Sequence, residues 1–350
     1  MKHRTLLVGL GGVGAQRHLP ACLASEHVEL VGLCDSKEQL LKEIGETSGI
    51  SHLYTSLDKA LKEAHPEICI LAIPPQAHFA AASRCLASGI HVLVEKPLTP
   101  SLEEADQLIE AMRTSSVKAM VSENYRWFDG ILDAHQMIEG GLVGEPRWVS
   151  IEVYCPPVPD YSNTGWLRTT DKLWFYEWGI HWVDIARYWL GEEAESVFAR
   201  FPQVPEELEG EVINPTADHI NAVLIQFENE KNAFILQYLV SKGVNAFTVE
   251  AKIEGTRGQI ALSMDAESNF YTTVSLRQAN GTVQQRTFSY KAKLDLAIVS
   301  HRRTLEHFVH CIEEDVRPIT GLEDNRKTLA ITLSAYESAQ RRGPVRVAAA

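Results

Sequence analysis

The sequence contains no cysteine pair at metal-ligand or redox spacing. Its six cysteines (22, 34, 69, 85, 155 and 311) are scattered, with no C-x-x-C, so neither a metal site nor a disulfide framework is expected. The thiols are expected to be reduced and buried, as suits the cytoplasm. No apolar run approaches the ~20 residues of a membrane-spanning helix. Positive charge is not in surplus either. With 33 Lys and Arg against 46 Asp and Glu, the net charge is −13, the wrong sign for nucleic acid or an anionic membrane surface. There is no internal repeat and no low-complexity tract. The basic start Met1-Lys2-His3-Arg4 before an apolar Thr5–Val13 imitates a secretion signal, but glycines at 9, 11, 12 and 14 suit a strand-to-loop turn and argue against export. What remains is an ordinary globular composition, 45% hydrophobic and 23% charged, on a chain of 350 residues, too long for one core.

The first third alternates strand and helix signals. Thr5–Val8 reads as a strand and runs into Gly9-Leu10-Gly11-Gly12-Val13-Gly14, a G-x-G-x-x-G with a strand before it and a helical pattern after it. Such glycines let the backbone turn tightly and approach a pyrophosphate held at a helix N-terminus. A second strand, Glu29–Cys34, ends in Asp35, where a carboxylate can accept hydrogen bonds from ribose hydroxyls and repel a 2′-phosphate. The same Asp35 could instead cap a helix beginning near Ser36. Asp35 makes NAD the expected dinucleotide, and Lys37, which could reach a 2′-phosphate, makes NADP the alternative.

The alternation continues through a helix at Ser56–Ala64, a strand at Ile68–Ile73, Pro74-Pro75, and an alanine-rich helix at His78–Ala87. Ile73, Pro74, Pro75 and His78 mark a passage where a nicotinamide ribose would lie. The strand Ile90–Val94 ends in Glu95-Lys96-Pro97. In open α/β sheets ligands bind beyond the carboxyl ends of strands, so Lys96 is a candidate for chemistry and Glu95 for an orienting acid beside the cofactor. A helix at Glu103–Met112 and a strand at Ala119–Ser122 complete a doubly wound parallel sheet.

Beyond Asn124 the pattern changes. After Tyr125-Arg126-Trp127-Phe128 and a helix at Ile131–Glu139, strand signals follow one another: Trp148–Tyr154, Ser196–Phe201, Ile220–Phe227, Ala233–Val240, Phe247–Ile253, Gln259–Leu262, Tyr271–Leu276 and Thr282–Phe288. Consecutive strands imply a mostly antiparallel sheet in an α+β domain. The expected domains are residues 1–124 and 125–350. Helices near Arg303–Glu313 and Asn325–Arg341 close the chain, and the closing helices could pack back on the first domain. Gln203–Pro215 reads as a surface loop.

Five of the seven tryptophans (166, 174, 178, 182 and 189) lie between Gly165 and Gly191. Within this stretch Glu177 to Asp184 opens a helix that should run to Leu190 and stop at Gly191. Glu177 and His181, four residues apart, would share a helix face. A carboxylate beside an imidazole suits acid/base chemistry near neutrality; a first-turn acid and a buried helix histidine would give the same pattern. Trp166, Arg168, Trp174 and Tyr176 offer flat apolar faces and a cation to a polyol, with Tyr125 and Arg126 further candidates by position. Trp182 and Trp189 are assigned to the core.

The glycine fingerprint, Glu95-Lys96-Pro97 and Gly179-x-His181-x-x-Asp184 before Gly191 together resemble the Gfo/Idh/MocA family of oxidoreductases. Ile138–Gly144, Ile253–Gly258 and Ala335-Tyr336-Glu337-Ser338-Ala339 extend the resemblance over nearly the whole chain. It implies a Rossmann domain, then an open-faced sheet domain, with the active site in the cleft between them. It also implies NAD(P)-dependent oxidation or reduction of a sugar, cyclitol or related polyol in a homodimer or homotetramer packed through the large sheet. Lys96 would hydrogen-bond the reacting hydroxyl and His181 would take its proton. The family's usual aspartate before that histidine is Glu177 here, and its glycine-rich run is replaced by Lys172-Leu173-Trp174-Phe175-Tyr176. A glycoside-cleaving enzyme using transient oxidation, and a non-catalytic nucleotide-binding relative, are the alternatives.

Overall fold

The computed structural model describes the chain except residues 157–171, 203–206, 209–210, 213–217, 242, 267–269 and 350. It divides into two compact units: Met1–Trp127 with Leu294–Arg326, and Phe128–Lys293 with Lys327–Ala350.

In chain order the first unit contains β1 (His3–Val8), a π-helical turn (Gly14–His18) leading into α1 (Leu19–Ala24), and β2 (Val28–Cys34). Then come α2 (Glu38–Ser48), β3 (Leu53–Tyr54), α3 (Leu57–Ala64), β4 (Ile68–Leu71), α4 (Pro75–Ala87), β5 (His91–Val94), α5 (Leu102–Arg113) and β6 (Ala119–Val121). The six strands form a parallel sheet in the order β3-β2-β1-β4-β5-β6. That is the doubly wound order in which ligands lie beyond the strands' carboxyl ends. Every residue of β4 is buried, as expected of a strand covered on both faces. Leu7, Ile70 and Leu93 meet Leu305, Phe308 and Val309 of the later segment in one core. Burying each such side chain is worth roughly 1.5–3 kcal/mol.

The second unit begins with α6 (Asp129–Glu139), β7 (Pro146–Tyr154), a π-helical turn (Phe175–Gly179) and α7 (Ile180–Leu190). It continues with β8 (Ala194–Arg200), a small hairpin of β9 (Glu207–Leu208) and β10 (Glu211–Val212), and β11 (Ile220–Phe227) and β12 (Asn232–Tyr238). After these come β13 (Thr248–Gly255), β14 (Gly258–Asp265), β15 (Phe270–Gln278) and β16 (Val283–Tyr290). The chain closes with α8 (Lys293–Glu313), α9 (Leu322–Arg341) and β17 (Val345–Arg346). Nine strands form one sheet, β16-β15-β14-β13-β7-β12-β11-β8-β17, antiparallel except where β7 meets β12. Burial alternates residue by residue along β11 and β13, the mark of a sheet with one covered face. Trp182 and Trp189 are core residues, as expected.

Three local expectations are corrected. Pro75 is the first residue of α4 rather than part of a non-helical passage, because a proline at the first helical position loses no hydrogen bond. Helix α2 starts at Glu38, with Lys37 rather than Asp35 in the capping position. Helix α8 begins ten residues before Arg303. Its buried face carries Ser300, His301 and Thr304, and these polar residues conceal the apolar periodicity. The stretch expected to be a loop holds the β9–β10 hairpin within its described part.

Candidate active site

The glycine turn follows β1, and the Gly9 N–H donates to the Cys34 carbonyl at the end of β2 at 2.8 Å. Gly9 has φ +91°, and a Cβ there would lie 2.2 Å from the Ala72 carbonyl oxygen. A Cβ on Gly14 would lie 1.9 Å from the Gly9 carbonyl oxygen. Those two glycines are therefore demanded by the chain itself. Gly11 and Gly12 are different: both are exposed, and a Cβ on either would meet nothing within 4 Å. The protein has no packing use for the missing side chains, whereas a pyrophosphate approaching the backbone does. Val13 lies just ahead of the π-helical turn.

Asp35 sits at the tip of β2, with Oδ2 accepting the Leu10 N–H at 2.7 Å and Oδ1 accepting the Lys37 N–H at 2.8 Å. The first bond ties the acid to the glycine turn. A carboxylate has about four acceptor positions, so both oxygens retain capacity for ribose hydroxyls. Open glycines beside an acid at the strand tip fit an NAD adenosine and pyrophosphate.

At the next two strand ends, Ile73 is half-buried, Pro74 is exposed and Pro75 is buried. His78 is fully buried. Its Nε2 lies 2.8 Å from the Ile73 carbonyl, and its Nδ1 lies 2.9 Å from the Pro97 carbonyl. Burial pushes its pKa down while the carbonyls at both nitrogens pull it up. The ring thus ties the end of β4 to the turn after β5, where the Lys96–Pro97 peptide is cis.

Glu95 is only 6% exposed. Its Oε1 lies 2.7 Å from His18 Nε2 and 3.5 Å from His301 Nε2, and its Oε2 accepts the Lys96 N–H at 3.2 Å. Burial raises the carboxyl's pKa, but hydrogen bonding by the two imidazoles outweighs it and brings the pKa well below the usual range. On its other side, His301 Nδ1 lies 2.7 Å from the Ala297 carbonyl. Among the described residues these three are the one group whose ligand atoms converge, within 4.8 Å of one another. Two ligands on one tetrahedral metal at 2.0–2.1 Å stand about 3.3 Å apart. The shorter His18–Glu95 contact is that of a proton-bridged pair.

Half-buried Lys96 follows. Beyond it, Glu123 is buried just past β6, accepting from Asn325 Nδ2 at 3.1 Å. Burial lifts its pKa to about 7, while the Lys96 ammonium, Asn325 and Arg126 pull the other way. Tyr125 is half-buried. The Arg126 guanidinium is buried and donates to the Ile319 carbonyl at 3.1 Å and to Asp324 at 3.0 Å.

Two of these groups set opposite pH dependences. Burial lowers the His301 pKa from 6.5 to about 4. Between those values the unfolded chain binds a proton that the folded one does not, so stability falls as pH falls. Glu123 moves from 4.5 to about 7, and there stability falls as pH rises. Glu95, His18 and Arg17 are the charged or titratable groups acting on His301. The variant His301→Asn should lose less stability than the parent between pH 6.5 and 5, by on the order of 1 kcal/mol per pH unit. Glu123→Gln should lose less between pH 5 and 7. Urea unfolding at three pH values measures both, and variant curves parallel to the parent's would show that neither group titrates in this way.

In the second unit, Glu177 lies in the π-helical turn and His181 in the first turn of α7, both buried. The Gly191 cap is left-handed at φ 66°. Trp174 and Tyr176 are buried, with Trp174 packed edge-on to Trp178 at 5.5 Å. Asp184, the third residue of the Gly179-x-His181-x-x-Asp184 pattern, accepts from the Thr328 hydroxyl at 3.2 Å. Trp166 and Arg168 lie outside the described residues. A π-helical turn inserts one extra residue per turn and is often found at functional sites; here it occupies part of the segment that replaces the family's glycines.

A family model described as "Oxidoreductase family, NAD-binding Rossmann fold" matches residues 3–123, and a "GFO/IDH/MocA C-terminal domain" model matches residues 131–261. The chain belongs to the Gfo/Idh/MocA oxidoreductase family, and it is an NAD(P)-dependent enzyme acting on CH–OH groups. It is similar to D-apiose dehydrogenase of Paraburkholderia graminis, 23% identical over 95% of this chain and 87% of the relative. It is also similar to myo-inositol 2-dehydrogenase of Thermotoga maritima, 22% identical over 97% of each. Among solved structures, scyllo-inositol dehydrogenase of Lactobacillus casei with bound NAD(H) and scyllo-inositol superposes with a TM-score of 0.83, at 18% identity and full coverage of both chains.

Sequence reasoning missed His18, His301, Glu123, Asp218 and Tyr336. His18, His301, Glu123 and Asp218 have no local motif. Only Tyr336 carried a signal, as part of Ala335-Tyr336-Glu337-Ser338-Ala339.

Proposed function

We propose that this enzyme oxidises or reduces a ring hydroxyl of a sugar, cyclitol or related polyol, with NAD as its coenzyme. The observation that carries this reading is one unit in which open glycines, Asp35 and Lys96 all follow the carboxyl ends of parallel strands. When bound, NAD supplies the hydride acceptor or donor. Gly11, Gly12 and Asp35 would hold its pyrophosphate and adenosine ribose. Ile73, Pro74, Pro75, His78 and Glu95 would shape the nicotinamide end.

The remaining chemistry belongs to this chain's side chains. Removing the hydroxyl proton leaves charge on the carbinol oxygen, and the Lys96 ammonium stabilises that charge, an effect commonly worth a few kcal/mol. His181 accepts the proton through its imidazole, and general-base help of this kind gives about 10²–10⁴-fold. Glu177, one methylene longer than the family's aspartate, favours the imidazolium that results. Trp166, Arg168, Trp174, Tyr176, Tyr125 and Arg126 are the candidates for shaping the pocket to its polyol.

The glycoside-cleaving and non-catalytic readings draw no support from the dehydrogenases named above. Absorbance at the NADH band, followed across sugars, cyclitols and sugar acids with NAD and with NADP, tests the proposal. Turnover of at least one polyol, with kcat/KM higher for NAD, is expected. Inactivity on the whole panel would refute the reaction, and equal kcat/KM for both coenzymes would refute the role of Asp35.

The enzyme is proposed to be a homo-oligomer. Phe198, Leu224 and Phe234 form one cross-strand row on the face of the nine-stranded sheet opposite its buried residues, and Phe198 and Leu224 are exposed. A solution mass equal to one 39.0 kDa chain would refute this. Among the described residues no helix is long and apolar enough to cross a membrane. All six cysteines are buried thiols, which favours the cytoplasm.

A further inference from the structure

Among the described residues, the segment that opens the helix carrying Glu177 and His181 supplies no capping side chain of its own. Lys172 and Leu173 precede it, and no Ser, Thr, Asp or Asn occupies that position. A helix start leaves four consecutive N–H groups without acceptors. Here all four are met from elsewhere in the second unit. Asp218 Oδ1 accepts the N–H groups of Leu173 and Trp174, both at 2.9 Å, and Oδ2 accepts that of Phe175 at 2.8 Å. The Tyr336 hydroxyl donates to Asp218 Oδ2 at 2.8 Å and accepts the Tyr176 N–H at 3.0 Å. The first bond within the helix then runs from the Glu177 N–H to the Leu173 carbonyl at 2.8 Å.

The cap is itself held in place. Asn221 donates to Asp218 Oδ2 at 3.1 Å, and its own carbonyl oxygen accepts from Gln237 at 3.1 Å. Asp218, Asn221, Gln237 and Tyr336 are all buried. Burial and the neighbouring Asp218 hold the Tyr336 pKa well above its ordinary value, so the hydroxyl keeps the proton it donates. At the far end of the π-helical turn, a Cβ on Gly179 would lie 2.3 Å from the Phe175 ring. The turn is therefore fixed at its start by the carboxylate and closed over Gly179 by the phenyl ring.

We propose that Asp218, with Tyr336 as its partner, is the positioning device of the catalytic segment. Fastening residues 173–176 sets the rotation at which Glu177 and His181 leave the π-helical turn. The Asp218–Tyr336 cap does here what a local capping residue would do, and it stands where this chain lacks the family's glycine-rich run. This rests on His181 being the base.

The test uses full-length Asp218→Asn and Tyr336→Phe. An Asn amide would turn a donor toward the Phe175 N–H and the Tyr336 hydroxyl, while the phenylalanine removes only the Tyr176 bond and one donor to Asp218. Amide hydrogen exchange over residues 172–181 should rise at least tenfold in both variants, with the glycine turn and β5 unchanged. With a polyol that the parent oxidises, kcat should fall about 10-fold in Tyr336→Phe and more in Asp218→Asn, as expected when a catalytic group is misplaced, while the affinity for NAD is unchanged. The acid limb of kcat/KM should move to lower pH in Asp218→Asn, since an anion near the helix start favours the imidazolium. Raised exchange with normal kcat and an unmoved limb would overturn the positioning role, and unchanged exchange would overturn the cap. If Asp218→Asn does not fold, Tyr336→Phe decides by the same readouts. If the parent oxidises no polyol, the dehydrogenase reading fails and the exchange measurement judges the cap by itself.

Discussion

Replacing Lys96 by methionine should lower kcat by at least about 100-fold while leaving the affinity for NAD near that of the parent. Methionine has a similar length and volume but no charge, so the half-buried position after β5 stays filled. What disappears is the cation beside the carbinol oxygen when its proton leaves. A 100-fold loss corresponds to about 2.7 kcal/mol, within the range for removing one group that stabilises a developing oxyanion. Compensation from nearby is not expected. Glu123, already lifted to about 7 by burial, has the Lys96 ammonium pulling against that rise. Without the ammonium it titrates higher still and is more often neutral near pH 7. Steady-state kinetics and NAD titration by protein fluorescence check both halves of the expectation. Near-normal turnover would remove Lys96 from the reaction.

The second large effect is expected at the glycine turn, and it separates two kinds of glycine. In Gly14→Ala the new methyl would fall 1.9 Å from the Gly9 carbonyl oxygen, a main-chain atom that cannot rotate away. The turn must open, and a loss of several kcal/mol is expected together with loss of NAD binding. In Gly12→Ala the methyl meets nothing within 4 Å. Its unfolding should match the parent's or improve slightly, since alanine favours the helix that starts there by up to about 1 kcal/mol. Its NAD affinity should nonetheless fall at least about tenfold, because the bound pyrophosphate needs that space. Thermal unfolding and NAD titration of the two variants give the comparison. Normal binding by Gly12→Ala would show that the dinucleotide does not approach the backbone there.

Much of this was legible in the sequence, wherever the determinant is local. Gly9 to Gly14 and Asp35 belong to one βαβ unit, and their spacing is set by the geometry of that unit. Lys96 is legible because a buried strand ends abruptly at a charge and a proline. Gly191 marks the end of α7 through its own left-handed conformation. The features that stayed hidden are made by convergence. His18 and His301 reach Glu95 from segments far apart in the chain, and nothing near any of the three announces the others. Asp218 caps a helix 45 residues before it, so local capping rules point to Glu177 as a first-turn acid and pass over the residue that meets the amides. The start of α8 was concealed because polar Ser300, His301 and Thr304 lie on its buried face, where an apolar stripe would ordinarily show.

The two-part composition of the first unit has a consequence for synthesis. Its core is completed by Leu305, Phe308 and Val309, which emerge some 180 residues after Trp127. At about 5–20 residues per second, the six parallel strands leave the ribosome roughly 10–40 s before the side chains that close their core. During that interval the apolar surface that those three side chains cover is exposed to solvent or to chaperones. A truncated chain ending at Trp127 is expected to keep that surface uncovered and to unfold at lower urea concentration than the whole protein.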